Sequence, residues 1–178
     1  FFGDRNMNRL DGKTALISGG SRGIGKAIAL QFSNQGIRVA VNYISNKSAA
    51  DEVVKTIEDG GGSAVAVQGD VTKRDEVERI FAETTDSLGP VEILVNNAGI
   101  ISDSLLMRMS DNDWDSVIDL DLRSIFLCTR EAIRTMVRSR WGRIINIGSV
   151  VGLRGNSGQA NYAAAKAGMV GFTQSIAK

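Results

Sequence analysis

The sequence predicts a doubly wound α/β protein, a parallel sheet covered by helices on both faces. Two observations predict it. Five short apolar runs rich in β-branched residues alternate with longer segments of helical spacing. Twenty glycines stand against a single proline, Pro90, so elements run unbroken and glycine marks their ends.

The strand-like runs are Thr14–Ser18, Ile37–Val41, Ala64–Val67, Val91–Val95 and Arg143–Ile147. Between the first two, Ile24, Ile28 and Phe32 share one helical face. Val53, Val54 and Ile57 do so in the second helical segment, and Val77, Ile80, Phe81 and Leu88 in the third. A fourth helix is expected from about Asp111 to Arg138, with Trp114, Val117, Ile118, Leu122 and Ile125 on one side. A last helix starts near Gln159 and runs to the end of the chain at Lys178. Right-handed crossovers between parallel strands then give three layers, α/β/α. With no internal repeat or linker in 178 residues, residues 10–178 read as one domain and residues 1–9 as a tail.

Composition closes several chemistries. The chain has no histidine, which excludes Ser-His-Asp hydrolysis, Cys-His catalysis and His-ligated zinc. Its one cysteine, Cys128, follows Phe126 and Leu127 and reads as a small core residue. Twenty-one basic and twenty acidic residues leave a net charge of +1, no global drive toward nucleic acid or an anionic membrane. No apolar run approaches the ~18 residues of a membrane helix. Phe1 to Arg9 lack the apolar stretch of a signal peptide. The expected compartment is the cytoplasm, with an organelle matrix left open if a transit peptide was removed.

Directly after the first strand comes Ser18-Gly19-Gly20-Ser21-Arg22-Gly23-Ile24-Gly25, where the first helix opens. Glycines let a backbone turn sharply and approach a pyrophosphate, and a helix N-terminus offers unpaired N–H groups and a positive dipole end. In the first strand-to-helix unit this points to dinucleotide binding, the Rossmann arrangement. NAD sites place an acid near the end of the second strand to hold the ribose 2′-hydroxyl. Here that stretch is Asn42-Tyr43-Ile44-Ser45-Asn46-Lys47, with no acid. Arg22 and Lys47 are suited to a 2′-phosphate instead, so NADP(H) is expected.

The fifth strand ends in Gly148-Ser149, and Tyr162 and Lys166 follow at i,i+4 on one helix. Free tyrosine titrates near ~10. A neighbouring ammonium favours the phenolate, as does the positive nicotinamide of an oxidised cofactor. Tyr162 is then a candidate proton donor to a ketone oxygen, a role worth about 10²–10⁴ in rate. Ser149 would hydrogen-bond the same oxygen. A lone Y-x-x-x-K is common on helix surfaces; its joint placement with Ser149 and the glycine turn gives it meaning.

These segments resemble the short-chain dehydrogenase/reductase family, as do Asn96-Asn97-Ala98-Gly99 after the fourth strand and Asp70-Val71 after the third. The likeness covers about Arg9 to Lys178. Within the family, Leu105–Met109, Gly142–Gly152 and Gly158–Gly168 are most similar to the branch that reduces 3-oxoacyl groups on acyl carrier protein. The resemblance implies NADPH-dependent reduction in fatty-acid elongation. Tyr162 is then the acid, Ser149 orients the ketone, and Lys166 binds the nicotinamide ribose and acidifies the tyrosine. Asp70 and Val71 frame the adenine, and Asn97, Ala98 and Gly99 line the cofactor cleft. Arg140, in a basic cluster with Arg138 and Arg143, meets the acidic carrier protein. The resemblance also implies a homotetramer through the long helices, and Ala163, Ala164, Ala167, Gly168 and Gly171 give a small-residue helix surface suited to close packing.

Two features depart from the family pattern. Asp121, in Ile118-Asp119-Leu120-Asp121-Leu122, stands where the family usually has an asparagine that holds a water linking the lysine to solvent. An ionised aspartate accepts hydrogen bonds but donates none, and its charge is expected to draw Lys166 from Tyr162. Family members also continue past this length with two more strands and a substrate-covering helix, which a truncated chain would lack. Two other readings stay open at this point: a dehydrogenase for another alcohol or ketone, and a nucleotide-binding module without turnover.

Overall fold

The structure, a computed structural model, describes residues 10–178. The expected tail, 1–9, lies outside the described residues. Five parallel strands form the sheet: β1 (Thr14–Ile17), β2 (Arg38–Tyr43), β3 (Ala64–Gln68), β4 (Ile93–Asn96) and β5 (Arg143–Asn146). Their spatial order is β3-β2-β1-β4-β5. The chain therefore leaves β1 in one direction toward β2 and returns on β1's other side at β4. That reversal opens a crevice at the carboxyl end of β1, where the glycine turn sits.

The helices are α1 (Gly23–Ser33), α2 (Lys47–Asp59), α3 (Arg74–Leu88), α4 (Asp111–Ile118), α5 (Ser124–Ser139), a short α6 (Val151–Arg154) and α7 (Ala160–Ile176). Alternation along the strands divides two cores. Ala15, Ile17, Val39, Val41, Ile93 and Val95 pack with Ala29, Ala50, Val53 and Ile57 of α1 and α2. Leu16, Ala40 and Leu94 face the other way, toward Val77, Ile80, Leu127, Cys128 and Ala132 of α3 and α5. Each such fully buried Val, Leu or Ile contributes about 1.5–3 kcal/mol. These strands are buried on both faces, which is why they read as continuous apolar runs.

Three expectations need correction. The expected helix from Asp111 to Arg138 is broken by a π-helical turn, Asp119–Arg123, between α4 and α5. Such a turn inserts extra backbone and re-aims side chains, and it carries Asp121 into the core at 0% exposure. Ile24 was expected on α1's buried face but is 62% exposed at the crevice, and α1 packs through Gly25 and Ala29. Trp114 is 39% exposed, while Val117 and Ile125 carry the buried side of that segment.

Candidate functional site

Buried polar side chains lock the loops at the carboxyl end of the sheet. Ser18 Oγ accepts from the backbone N–H groups of Asn97 and Ala98, each at 3.0 Å. Asn97 Nδ2 donates to the carbonyls of Ser18 and Gly19 at 3.0 and 3.1 Å. Asn42, 2% exposed, donates to the carbonyls of Val67 and Gly69. Its backbone carbonyl accepts from Gly20 N at 2.9 Å. The glycine turn is thus tied to both neighbouring strands. A Cβ on Gly25 would strike the Gly19 carbonyl and stand 2.6 Å from Asn97 Nδ2. Glycine is required there because the turn folds back onto the start of α1.

The result is a cleft of about 460 Å³. Gly19, Ser21, Arg22, Gly23 and Ile24 form one wall; Tyr43, Ile44 and Ser45 form another; Val71, Asn97, Ala98 and Gly99 close it. Arg22 precedes α1 with extended backbone and gives it no side-chain cap, so the first-turn N–H groups remain available to a ligand. Among the described residues, Arg22 is also the one charged residue lining the cleft. These residues fit a dinucleotide: a cradle that a Cβ would fill, uncapped amide donors and a cationic side chain.

Several expected cofactor residues lie outside that lining. Lys47 begins α2 and its ammonium pairs with Asp51 at 2.6 Å. Asp70 accepts from the Thr72 N–H and hydroxyl at 2.9 and 2.7 Å, while its neighbour Val71 forms the wall. A larger concavity, about 600 Å³, lies at the opposite end of the sheet among the C-terminal ends of α1 and α2. It offers helix carbonyls rather than amide donors.

Beyond the cleft, Ser149 Oγ accepts from Val151 N at 3.2 Å, which turns the chain into α6. A Cβ on Gly152 would stand 2.7 Å from the Lys166 carbonyl carbon and 2.8 Å from Ala167 N. Backbone therefore meets backbone where α6 crosses α7, beside Lys166. The lysine is 5% exposed. Its Nζ donates to the Ile147 carbonyl at 3.2 Å, lies 3.1 Å from Asp121 Oδ2 and stands 5.5 Å from the centroid of the Tyr162 ring. The other oxygen of Asp121 accepts from Ile100 N at 2.8 Å. Burial raises the Asp121 carboxyl above its ordinary range, against the opposing pull of the Ile100 N–H and the Lys166 ammonium.

Three contributors were not singled out from the sequence. Ser18 sits inside the quoted turn, but its bonds to Asn97 and Ala98 span more than 75 positions. Gly152 and Asn161 lie in quoted runs, and only the packing of α6, α7 and the loop after β4 shows their use. Arg140 ends α5 with φ 52, and Arg138, Arg140 and Arg143 are all exposed. On α7, Ala164, Ala167, Gly168 and Gly171 are exposed, and Gly168 packs on Leu122. No helix among the described residues is long and apolar enough to cross a membrane.

A family model described as short chain dehydrogenase matches residues 13–178. The chain is similar to 3-oxoacyl-[acyl-carrier-protein] reductase of Synechocystis sp., with 51% identity over 172 residues, 97% of this chain and 70% of that protein. It is similar to the reductase FabG of Staphylococcus epidermidis at 48% over 166 residues, 93% of this chain and 68% of the relative. The Staphylococcus aureus FabG is 49% identical over the same length and shares. The glycine turn, the crevice and the Ser149, Tyr162 and Lys166 segment all lie within the matched region, and the chain belongs to the short-chain dehydrogenase family.

Proposed function

We propose that the protein reduces a 3-oxoacyl group carried on acyl carrier protein to the 3-hydroxyacyl form, using NADPH, in fatty-acid synthesis. The observation that carries this reading is Tyr162 one helical turn from the buried Lys166, at the same end of the sheet as the dinucleotide cleft. Residues 10–178 act as one dinucleotide-binding domain that also holds the catalytic groups.

Gly19, Ser21, Gly23, Ile24 and Gly25 hold the pyrophosphate through backbone at the start of α1. Arg22 meets the 2′-phosphate, with Lys47 reaching it from the start of α2 when its surface pair with Asp51 opens; exposed pairs of this kind are worth about 0–1 kcal/mol. Asp70 and Val71 flank the adenine, and Asn97, Ala98 and Gly99 line the nicotinamide side. Tyr162 and Lys166 contact the ribose. The bound cofactor supplies hydride to the ketone carbon. Ser149 donates a hydrogen bond to the ketone oxygen. Tyr162 Oη gives that oxygen its proton, leaving a phenolate whose charge the Lys166 ammonium balances. Asp121 holds Lys166 through its carboxylate, 3.1 Å from the ammonium.

Val150 and Leu153, 71% and 73% exposed beside Ser149, suit an acyl chain. Arg140 holds a left-handed backbone that costs a non-glycine residue about 1–2 kcal/mol. An exposed arginine kept there suits docking of an acidic carrier. The proposed assembly is a homotetramer through the long helices, in the cytoplasm.

The test is consumption of NADPH and NADH with a 3-oxoacyl thioester, for the protein and for Tyr162→Phe. NADPH consumption that falls by about 10²-fold or more in Tyr162→Phe supports the reading. Cofactor binding without consumption of either nucleotide refutes it and leaves a binding module. Consumption with other ketones alone moves the substrate elsewhere in the family.

A further inference from the structure

The first turn of α7 carries Tyr162, and the loop after β4 is sewn to it. Asn161 is 0% exposed, and its amide is fully used. Nδ2 donates to the Ser102 carbonyl at 3.0 Å and to the Asp113 carbonyl at 2.8 Å. Oδ1 accepts from the backbone N–H of Tyr162 at 2.8 Å. That N–H is one of the helix's orphan donors, and Gln159 at the helix start gives no side-chain cap. Nearby bonds run between the same segments. Gln159 Nε2 donates to Asp103 Oδ1 at 2.9 Å, Ser104 N to the Gly158 carbonyl at 2.9 Å, and Ser102 Oγ to Asp113 Oδ1 at 2.7 Å. The loop's near end is fixed by Ile100 N on Asp121, beside the cleft wall formed by Asn97, Ala98 and Gly99.

We propose that Asn161 is a positioning residue for the proton donor: its two donated hydrogen bonds fix the first turn of α7 to the loop 100–104 and to α4, its oxygen holds the Tyr162 N–H within that turn, and together they set where the Tyr162 phenol stands relative to the cleft. The inference rests on the reading of Tyr162 as the acid. Lys166 Nζ is held by the Ile147 carbonyl and by Asp121, neither of which bonds to Asn161, so loosening the first turn is expected to move the phenol more than the ammonium. Asn161 is not among the residues that line the cleft. Misplacing a reacting group by about 1 Å costs up to about 10²-fold in rate.

The experiment compares Asn161→Asp and Asn161→Ala with the full-length parent. Asn161→Asp keeps the volume and the acceptor for Tyr162 N but loses both donors, so it separates the hydrogen bonds from packing. Four quantities are read: kcat and KM with NADPH, the NADPH dissociation constant by nucleotide fluorescence, and amide exchange of peptides covering 100–105 and 159–166. The expected result is kcat lower by about 10- to 100-fold, KM and dissociation constant for NADPH within about twofold, and faster exchange in both peptides. Unchanged exchange in Asn161→Asp overturns the proposal. So does kcat within about twofold of the parent, or cofactor affinity falling in step with kcat. Melting of both variants below the assay temperature overturns it too, since Asn161 would then serve the fold at large. A parent without turnover refutes the proposed function instead, and the exchange comparison then decides the anchoring by itself.

Discussion

The carboxylate of Asp121 stands 3.1 Å from the ammonium of Lys166, at side-chain exposures of 0% and 6%. The pair is buried between the π-helical turn and α7, and the ammonium 5.5 Å from the centroid of the Tyr162 ring is shared with a carboxylate. Burial raises the Asp121 carboxyl above the ordinary range, so its folded value exceeds its unfolded one. The associated stability is fully present below the unfolded value of ~3.9 and is lost as pH rises through the folded one. Asp121→Asn removes that dependence. Melting scans from acid to neutral pH should show the variant gaining on the parent as pH rises. The pH–rate curve should shift as well, because the lysine no longer faces a charge. A constant gap in melting temperature and an unchanged pH–rate curve would show that the pair is indifferent to pH.

Arg22 should decide the nucleotide. It is the charge that lines the cleft, and Tyr43, Ile44 and Ser45 offer no carboxylate to a ribose hydroxyl. Arg22→Glu removes a charge-assisted bond worth about 1.5–3 kcal/mol and adds repulsion of a 2′-phosphate. The ratio of kcat/KM for NADPH over NADH should fall by about 10- to 100-fold. Equal use of both nucleotides by the parent would remove Arg22 from this role.

Gly25→Ala should abolish cofactor binding without altering Tyr162. The added methyl meets the Gly19 carbonyl, in the turn that forms the cradle, and Asn97 Nδ2, which ties that turn to the loop after β4. Overpacking of this kind costs about 1–3 kcal/mol. A melting scan should show that loss, and nucleotide fluorescence should show no saturable binding. The opposite outcome, full affinity with parental stability, would mean that the turn relaxes freely.

Cys128 should be inert. Burial pushes its thiol up to about 12, and it is 2% exposed in the core between the sheet and α5. Reaction needs the thiolate and access. A chromogenic disulfide reagent near neutral pH should label it only on unfolding, at a rate that follows the unfolding rate; immediate labelling of the folded protein would contradict this placement.

Much of the fold was legible because its signals are local. Ala15-Leu16-Ile17 and Ile93-Leu94-Val95 are continuous apolar runs, as strands buried on both faces must be. The glycine turn announces a tight strand-to-helix connection, and Tyr162 and Lys166 fall one turn apart through helix periodicity alone. The helix from Asp111 was legible but not its interruption. A π-helical turn of five residues leaves the apolar spacing nearly intact while turning Asp121 inward.

The sequence by itself determined the alternation of strands and helices, the chemistry excluded by the missing histidines, and the side chains suited to a dinucleotide and a proton donor. Only the tertiary structure decided which of those side chains meet. The order β3-β2-β1-β4-β5 placed the crevice, the path of the loop after β4 gave Asn161 its partners, and the π-helical turn paired Asp121 with Lys166. Contacts between residues tens of positions apart depend on how packed elements cross. Periodicity carries no record of those crossings, because it reports which face of an element is buried and not what lies against it.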